Sequence, residues 1–144
     1  MSESLQVVCP HCHVTNRVPR ERLADGGTCG KCKRALFTGH PLELDGTSFG
    51  RHVGASDIPL VVDFWAPWCA PCRMMAPHFE KAAAELEPRV RLAKLNTEAE
   101  QAVAARYAIR SIPTLVAFRN GKEIARQSGA LDSAALVRWV RAEV

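Results

Sequence analysis

The stretch that decides the fold runs from residue 60 to residue 72 and reads LVVDFWAPWCAPC. The apolar run over residues 58–65 is interrupted by the charge of Asp63 alone, which predicts a central strand covered on both faces. Cys69 and Cys72 come after it, and Pro71 between them suits the first turn of a helix. A Cys-x-x-Cys pair at the end of a strand and the mouth of a helix predicts a reversible dithiol/disulfide couple.

The two cysteines are expected to have different roles. Free N–H groups and the helix dipole favour a thiolate at Cys69, at the predicted helix N-terminus. The thiolate is the reactive form of a cysteine, so Cys69 is predicted to attack and Cys72 to resolve the mixed disulfide. Asp63 lies among apolar residues, where burial raises a carboxyl pKa, and it could exchange a proton with Cys72. The alternative is a carboxylate on a solvated strand face.

Alternating strand and helix signals over the rest of the chain predict an α/β layer fold. Strands are expected over 58–65, 90–95, 114–118 and 122–127, with helices over 72–87 and 98–107. Asn120-Gly121 predicts a hairpin turn, and Asp132 or Ser133 can cap a last amphipathic helix.

The first 36 residues carry two further Cys-x-x-Cys pairs, Cys9/Cys12 and Cys29/Cys32. Four thiolates complete a closed tetrahedral zinc site, and the spacing matches one. A unit this short buries too little apolar surface to fold alone, and zinc binding would offset its ordering cost. We therefore predict one structural Zn²⁺ per chain rather than two disulfides. His11 and His13 flank Cys12 and could replace a thiolate as ligand, but with four well-spaced cysteines available we expect them to be bystanders or outer-sphere donors.

These signals divide the chain into three parts. Residues 1–36 are predicted to be a zinc-binding module, residues 37–46 a linker with a possible edge strand at 42–44, and residues 42–144 the main domain.

Composition and charge restrict the function classes. The chain has 144 residues and a formal charge of +4, with six basic against three acidic residues in 1–40 and thirteen against twelve in 41–144. Four thiolates around Zn²⁺ would lower the total to +2, which gives little steering of nucleic acid. Neither a membrane span nor a secretory signal is evident, so we expect a cytoplasmic protein unless a leader was trimmed. The absence of a Gly-x-Gly-x-x-Gly motif predicts no bound nucleotide or flavin.

Several segments resemble the thioredoxin family in order and spacing. They are residues 61–69 (VVDFWAPWC), 93–96 (AKLN), 111–115 (SIPTL), 120–121 (NG) and 129–131 (GAL). The resemblance covers residues 42–144. With the two N-terminal Cys-x-x-Cys turns, here called knuckles, the whole chain resembles the zinc-containing bacterial thioredoxins. It implies a thioredoxin fold, in which a central mixed β-sheet is flanked by helices, with a small zinc-ribbon-like module at the N-terminus.

The resemblance also implies roles for individual residues. The catalytic set would be Cys69, Cys72, Asp63, Lys94 near Asp63, and a cis Pro113 that faces the dithiol. The substrate-binding set would be Trp68, Ala70, Pro71, Ile112, Gly129 and Ala130, and the metal set Cys9, Cys12, Cys29 and Cys32. Trp65 and Phe64 are interpreted as packing residues. Ala70 departs from the family, which usually has glycine there, and this puts the redox poise in question.

The implied function is that of a protein thiol-disulfide oxidoreductase that reduces protein disulfides and is itself reduced by thioredoxin reductase at the expense of NADPH. One alternative is a redox-responsive zinc module that regulates partner binding. A nucleic-acid-binding zinc ribbon is a weaker alternative because of the near-balanced charge. An oxidase or isomerase would need an oxidising compartment.

Overall fold

The apolar run that ends at Trp65 forms the central strand of a five-stranded mixed sheet in the computed structural model, which describes residues 3–144. The strands are β3 (Leu42–Leu44), β4 (Leu60–Trp65), β5 (Arg91–Asn96), β6 (Thr114–Arg119) and β7 (Lys122–Ser128). Their order is β3-β5-β4-β6-β7, with β4 parallel to β5 and antiparallel to β6. The predicted fold class, a central mixed sheet flanked by helices, is confirmed.

Helices cover both faces of this sheet because successive residues of β4 point to opposite sides. They are α1 (Phe49–Ala55), α2 (Ala70–Leu86), α3 (Gln101–Arg106) and α4 (Ser133–Glu143). Val61 packs in a core with Met75 and Phe79 of α2 and Leu136 of α4. Leu60, Val62 and Phe64 pack in the second core, with α1 and α3. Asp63 and Trp65, two and four residues after Val61, therefore lie on the α2 face of the sheet.

Helix boundaries differ from the sequence predictions for local reasons. α2 begins at Ala70 instead of Cys72, because Cys69 is its N-cap and Pro71 lies in its first turn. α3 was expected over 98–107 and is shorter. The side-chain oxygen of Asn96 accepts hydrogen bonds from the amides of Glu98 and Ala99 at 3.0 and 3.3 Å, which forms a turn before the helix. α1 was not predicted: two glycines weaken its helical signal, and burial of Phe49 and Val53 holds it in place.

The N-terminal unit contains strands and a short helix that the sequence analysis did not predict. β1 (Ser4–Val8) and β2 (Thr15–Pro19) form an antiparallel pair, followed by a 3-10 helix over Arg20–Asp25. Val7 and Leu36 pack with Ile58 of the main domain in one small core. A main-chain hydrogen bond of 2.8 Å from the Asp57 amide to the Gln6 carbonyl links the two units. The two units are therefore in direct contact.

Among residues 3–144, none of the helices is both long and apolar enough to cross a membrane.

Candidate functional site

Cys69 and Cys72 are joined by a disulfide at the N-terminus of α2, with their Cα atoms 5.2 Å apart. Cys69 is the N-cap, and its Sγ accepts a hydrogen bond from the Cys72 amide at 3.2 Å. An amide directed at this sulfur, together with the helix dipole, stabilises negative charge on it. Cys69 is also slightly more exposed than Cys72, at 5% against 2%. Both features favour Cys69 as the attacking sulfur.

Asp63 is a buried carboxyl on the sheet face beneath α2. It is 1% exposed, and neither of its oxygens has a hydrogen-bond partner among the described residues. Desolvation by burial raises its pKa to about 7, and the positive charge of Lys94 opposes the rise. Lys94 on β5 is the register partner of Asp63 on β4. A carboxyl with a pKa near neutrality can both accept and return a proton.

A loop before β6 lies against the dithiol. The Ile112–Pro113 peptide bond is cis, and the Ile112 carbonyl oxygen lies 3.8 Å from Cys69 Sγ. Pro113 is buried, and its carbonyl accepts a hydrogen bond of 3.0 Å from the Gly129 amide. Gly129 has a φ of +93°, a conformation that favours glycine, directly after β7. The structure therefore brings Ile112, Pro113 and Gly129 together beside Cys69.

The remaining predicted substrate-binding residues are at the surface. Trp68 is 66% exposed although it is a large apolar residue, and Ala70, Pro71 and Ala130 are exposed as well. Met74 of α2, which was not predicted, is 72% exposed. An exposed tryptophan next to a reactive sulfur is typical of a docking surface.

The four N-terminal cysteines form a second centre. Their sulfur atoms all lie within 4.8 Å of one another, and Cys9–Cys32 and Cys12–Cys29 are each 3.6 Å apart. A tetrahedral zinc site with Zn–S bonds of about 2.3 Å separates its sulfurs by about 3.8 Å. The thiol cluster therefore fits one Zn²⁺ ion.

The two knuckles share one backbone pattern. The amides of His13 and Lys33 donate to the carbonyls of Cys9 and Cys29 at 3.0 and 2.9 Å, and both residues have a φ near +65°. The Asn16 side chain on β2 contacts the second knuckle: its oxygen accepts from the Gly30 amide at 2.9 Å, and its nitrogen lies 3.5 Å from Cys29 Sγ.

The two candidate histidines lie outside the sulfur cluster. His11 is exposed, and the His13 ring is hydrogen-bonded at 3.0 Å to the buried His52 of α1. The cluster contains only the four cysteines among the described residues.

Sequence reasoning missed a buried arginine that joins the zinc unit to the main domain. Arg91 at the start of β5 donates to the carbonyls of Val8, at 2.7 Å, and of Leu36. Its guanidinium also lies 4.8 Å from the Phe37 ring centroid, and its Nε lies 3.9 Å from Glu87. The available signal was weak: Arg91 is one of two cations in the strand predicted over 90–95, and a buried cation needs partners.

Comparison with known proteins gives a consistent result for both units. The family model described as Thioredoxin matches residues 40–142, and the model described as Thioredoxin 2, N-terminal, matches residues 8–34. Thioredoxin C-3 from Corynebacterium nephridii is 45% identical over 134 residues, which is 93% of this chain and 92% of that protein. Thioredoxin from Haemophilus influenzae is 40% identical over 72% of this chain and 96% of its own length.

A mutant thioredoxin from Halobacterium salinarum NRC-1 is a similar solved structure. It has a TM-score of 0.66 and 30% identity, and the match covers 74% of this chain and 93% of that one.

Proposed function

The chain belongs to the thioredoxin family and is a protein thiol-disulfide oxidoreductase, and from this premise we propose how its residues divide the work of reducing a protein disulfide. The observation that carries the proposal is the placement of Cys69 as the N-cap of α2, bonded to Cys72 and set above a buried carboxyl.

The reaction is an exchange of disulfide bonds. The Cys69 thiolate attacks one sulfur of the substrate disulfide, forms a mixed disulfide and releases the other substrate sulfur as a thiolate, which takes up a proton. The Cys72 thiolate then attacks Cys69 Sγ and releases the second substrate sulfur. Two electrons pass from the dithiol to the substrate, and the oxidised Cys69–Cys72 bond that results is the state in this structure.

Asp63 serves as the proton acceptor and donor for Cys72. Its support is burial, the absence of a hydrogen-bond partner among the described residues, and a pKa of about 7. Because Cys72 is 2% exposed, a proton on its sulfur has little access to water. A carboxyl on the sheet face below α2 offers an alternative route for that proton. Lys94 opposes the rise in the pKa of Asp63 and so keeps part of the carboxyl ionised.

The substrate binds across the loop that ends in Pro113. The Ile112 main chain, beside Cys69 Sγ, is available to pair with an extended segment that carries the disulfide. Trp68, Ala70 and Pro71 provide exposed apolar surface on one side of the dithiol. Gly129 and Ala130 complete the surface beyond Pro113, where the missing Gly129 side chain allows close approach.

The N-terminal unit, residues 1–36, holds one Zn²⁺ through Cys9, Cys12, Cys29 and Cys32 in a structural role. The support is the matched zinc-ribbon family and a sulfur cluster of suitable size. Four cysteine ligands leave no open coordination position, which distinguishes a structural zinc site from a catalytic one.

We place the protein in the cytoplasm, with thioredoxin reductase as its electron donor and disulfide-containing proteins as its substrates. The test is NADPH consumption by the zinc-loaded protein with thioredoxin reductase and a protein disulfide. Turnover that requires Cys69 supports the proposal. No turnover from folded, zinc-loaded protein would contradict it.

The matched variant Cys72→Ser tests the division of labour between the two sulfurs. It should accumulate a mixed disulfide at Cys69, visible as a mass shift on a non-reducing gel. Attachment of substrate at position 72 in Cys69→Ser, at an equal rate, would overturn the assignment.

A further inference from the structure

We propose that Trp65 is a positioning residue of the redox centre, whose indole ring holds the Lys94 ammonium beside Asp63. The proposal rests on the proposed function, because it concerns the carboxyl that exchanges a proton with Cys72. The sequence interpretation assigned Trp65 to packing alone.

Three side chains share one face of the sheet. Lys94 on β5 pairs in register with Asp63 on β4, and Trp65 lies two residues beyond Asp63 on the same strand. Residues two apart on a strand point to the same side. The Lys94 Nζ lies 4.3 Å from the centroid of the Trp65 ring, within the range of a cation–π interaction. The ring therefore fixes where the ammonium is held.

The ring is the anchor that the structure shows for this ammonium. The five ion pairs found among residues 3–144 all involve other cations, and Lys94 itself is half-buried. A lysine held by an aromatic face alone turns its ammonium toward solvent when that face is removed. The charge would then move away from Asp63.

Lys94 is the charged group that acts on Asp63 in the oxidised protein. Its positive charge lowers the pKa of the carboxyl, against the larger effect of burial. From β6 the register partner is the apolar Leu115, and Met75 and Phe79 of α2 are apolar as well. Cys69 and Cys72 lie at the nearby N-terminus of α2, and neither sulfur can ionise while the two form a disulfide. If the Lys94 charge moves away, none of these groups therefore supplies another charge that acts on the pKa of Asp63.

Trp65 also packs beside the dithiol. Trp65 packs against the small apolar cluster of Ala66, Cys69 and Cys72. A substitution at Trp65 therefore changes both packing and charge placement, and activity alone cannot separate the two. The titration of Asp63 in the oxidised protein can, because packing against the sulfurs does not require the Lys94 charge.

The experiment monitors the Asp63 carboxyl carbon by NMR against pH in oxidised protein, without reductase or substrate. Trp65→Leu should raise the titration midpoint by about half a pH unit. Trp65→Phe keeps a weaker aromatic face and should give a smaller shift of the same sign. Lys94→Met should raise the midpoint by itself, and both Trp65 substitutions should then have no further effect.

An unchanged midpoint in Trp65→Leu, or an equal shift with and without Lys94, would overturn the inference. If Trp65→Leu does not fold, the comparison of Trp65→Phe with and without Lys94 decides. NADPH-coupled turnover is measured separately, so its failure would contradict the proposed function without affecting the titration result.

Discussion

The redox centre (Cys69 and Cys72) and the metal cluster (the four N-terminal cysteines, which fit one Zn²⁺) are built from the same Cys-x-x-Cys turn. They differ in the backbone beyond the second cysteine. In all three pairs the amide after the second cysteine donates to the carbonyl of the first: Arg73 to Cys69, His13 to Cys9 and Lys33 to Cys29. Arg73 continues as helix α2, whereas His13 and Lys33 take a left-handed φ and end the turn.

This difference decides which sulfurs can meet. In the redox centre the helix continues, and Cys72 forms its bond with Cys69. In each knuckle the chain reverses, so the sulfurs face the other knuckle, and the 3.6 Å contacts run between knuckles. The spacing of two cysteines therefore does not by itself distinguish a redox pair from half of a metal site. The backbone after the second cysteine and the presence of a second pair do.

The largest expected effect separates the chemistry of the two centres. Cys69→Ser should abolish NADPH-coupled turnover because it removes the attacking sulfur, while zinc content should stay at one ion per chain. Cys32→Ser removes one ligand of the cluster and should release zinc, while the dithiol still exchanges with a substrate disulfide. Metal analysis and turnover on both variants check this. Full loss of turnover in a folded Cys32→Ser protein would show that the centres do not act separately.

Arg91 tests how the metal cluster is attached to the main domain. Arg91→Met should destabilise the protein by about 3–5 kcal/mol, because the carbonyls of Val8 and Leu36 and the carboxylate of Glu87 lose their buried partner. Chemical denaturation of the zinc-loaded protein measures the change. Arg89→Met is the matched control: Arg89 is exposed, and its loss should cost no more than about 0.5 kcal/mol. Equal stability of the two variants would rule out the attachment.

Replacing Asp63 tests the redox centre through the pH dependence of protein stability. Its pKa of about 7 in the folded chain lies above the ordinary value of 3.8, so the unfolded state ionises first and folding loses stability as pH rises between these values. Asp63→Asn should therefore be more stable than the wild type at pH 8, by on the order of 4 kcal/mol, and the gain should nearly vanish by pH 4.

Denaturation of oxidised protein at pH 4, 6 and 8 measures this dependence. The exposed Asp25→Asn is the matched control and should show no such trend. A gain at Asp63 that is independent of pH would contradict the assigned cause.

The sequence predicted the parts of this comparison that depend on local pattern. The central strand, the helix after Pro71 and the four-cysteine set can be inferred from apolar runs and spacing, and the structure contains all of them. Contacts between segments distant in the sequence could not be predicted, because no local sequence pattern encodes them. The partners of Arg91 are 83 and 55 residues away, and Trp65 meets Lys94 only through strand pairing.

The smallest expected effect concerns Asn16, which lies outside the sulfur cluster. Its side chain accepts from the Gly30 amide and contacts Cys29 Sγ, so it holds the second knuckle in position. Removal of such an outer-sphere partner typically weakens metal binding by 10–100-fold. Asn16→Ala should lower zinc affinity within about this range, measured by competition with a chelator.

Turnover by the dithiol in Asn16→Ala should be unchanged, because the side-chain hydrogen bonds of Asn16 found among residues 3–144 stay within the N-terminal unit. Arg17→Ala, at the exposed neighbouring position, is the control and should leave zinc affinity unchanged. If only Asn16→Ala lowers zinc affinity, a polar side chain outside the metal cluster helps to determine the geometry of that cluster. The redox centre differs in this respect, since the helix that begins at Cys69 sets its geometry. If both variants bind zinc as tightly as the wild type, the two knuckle turns alone determine the cluster.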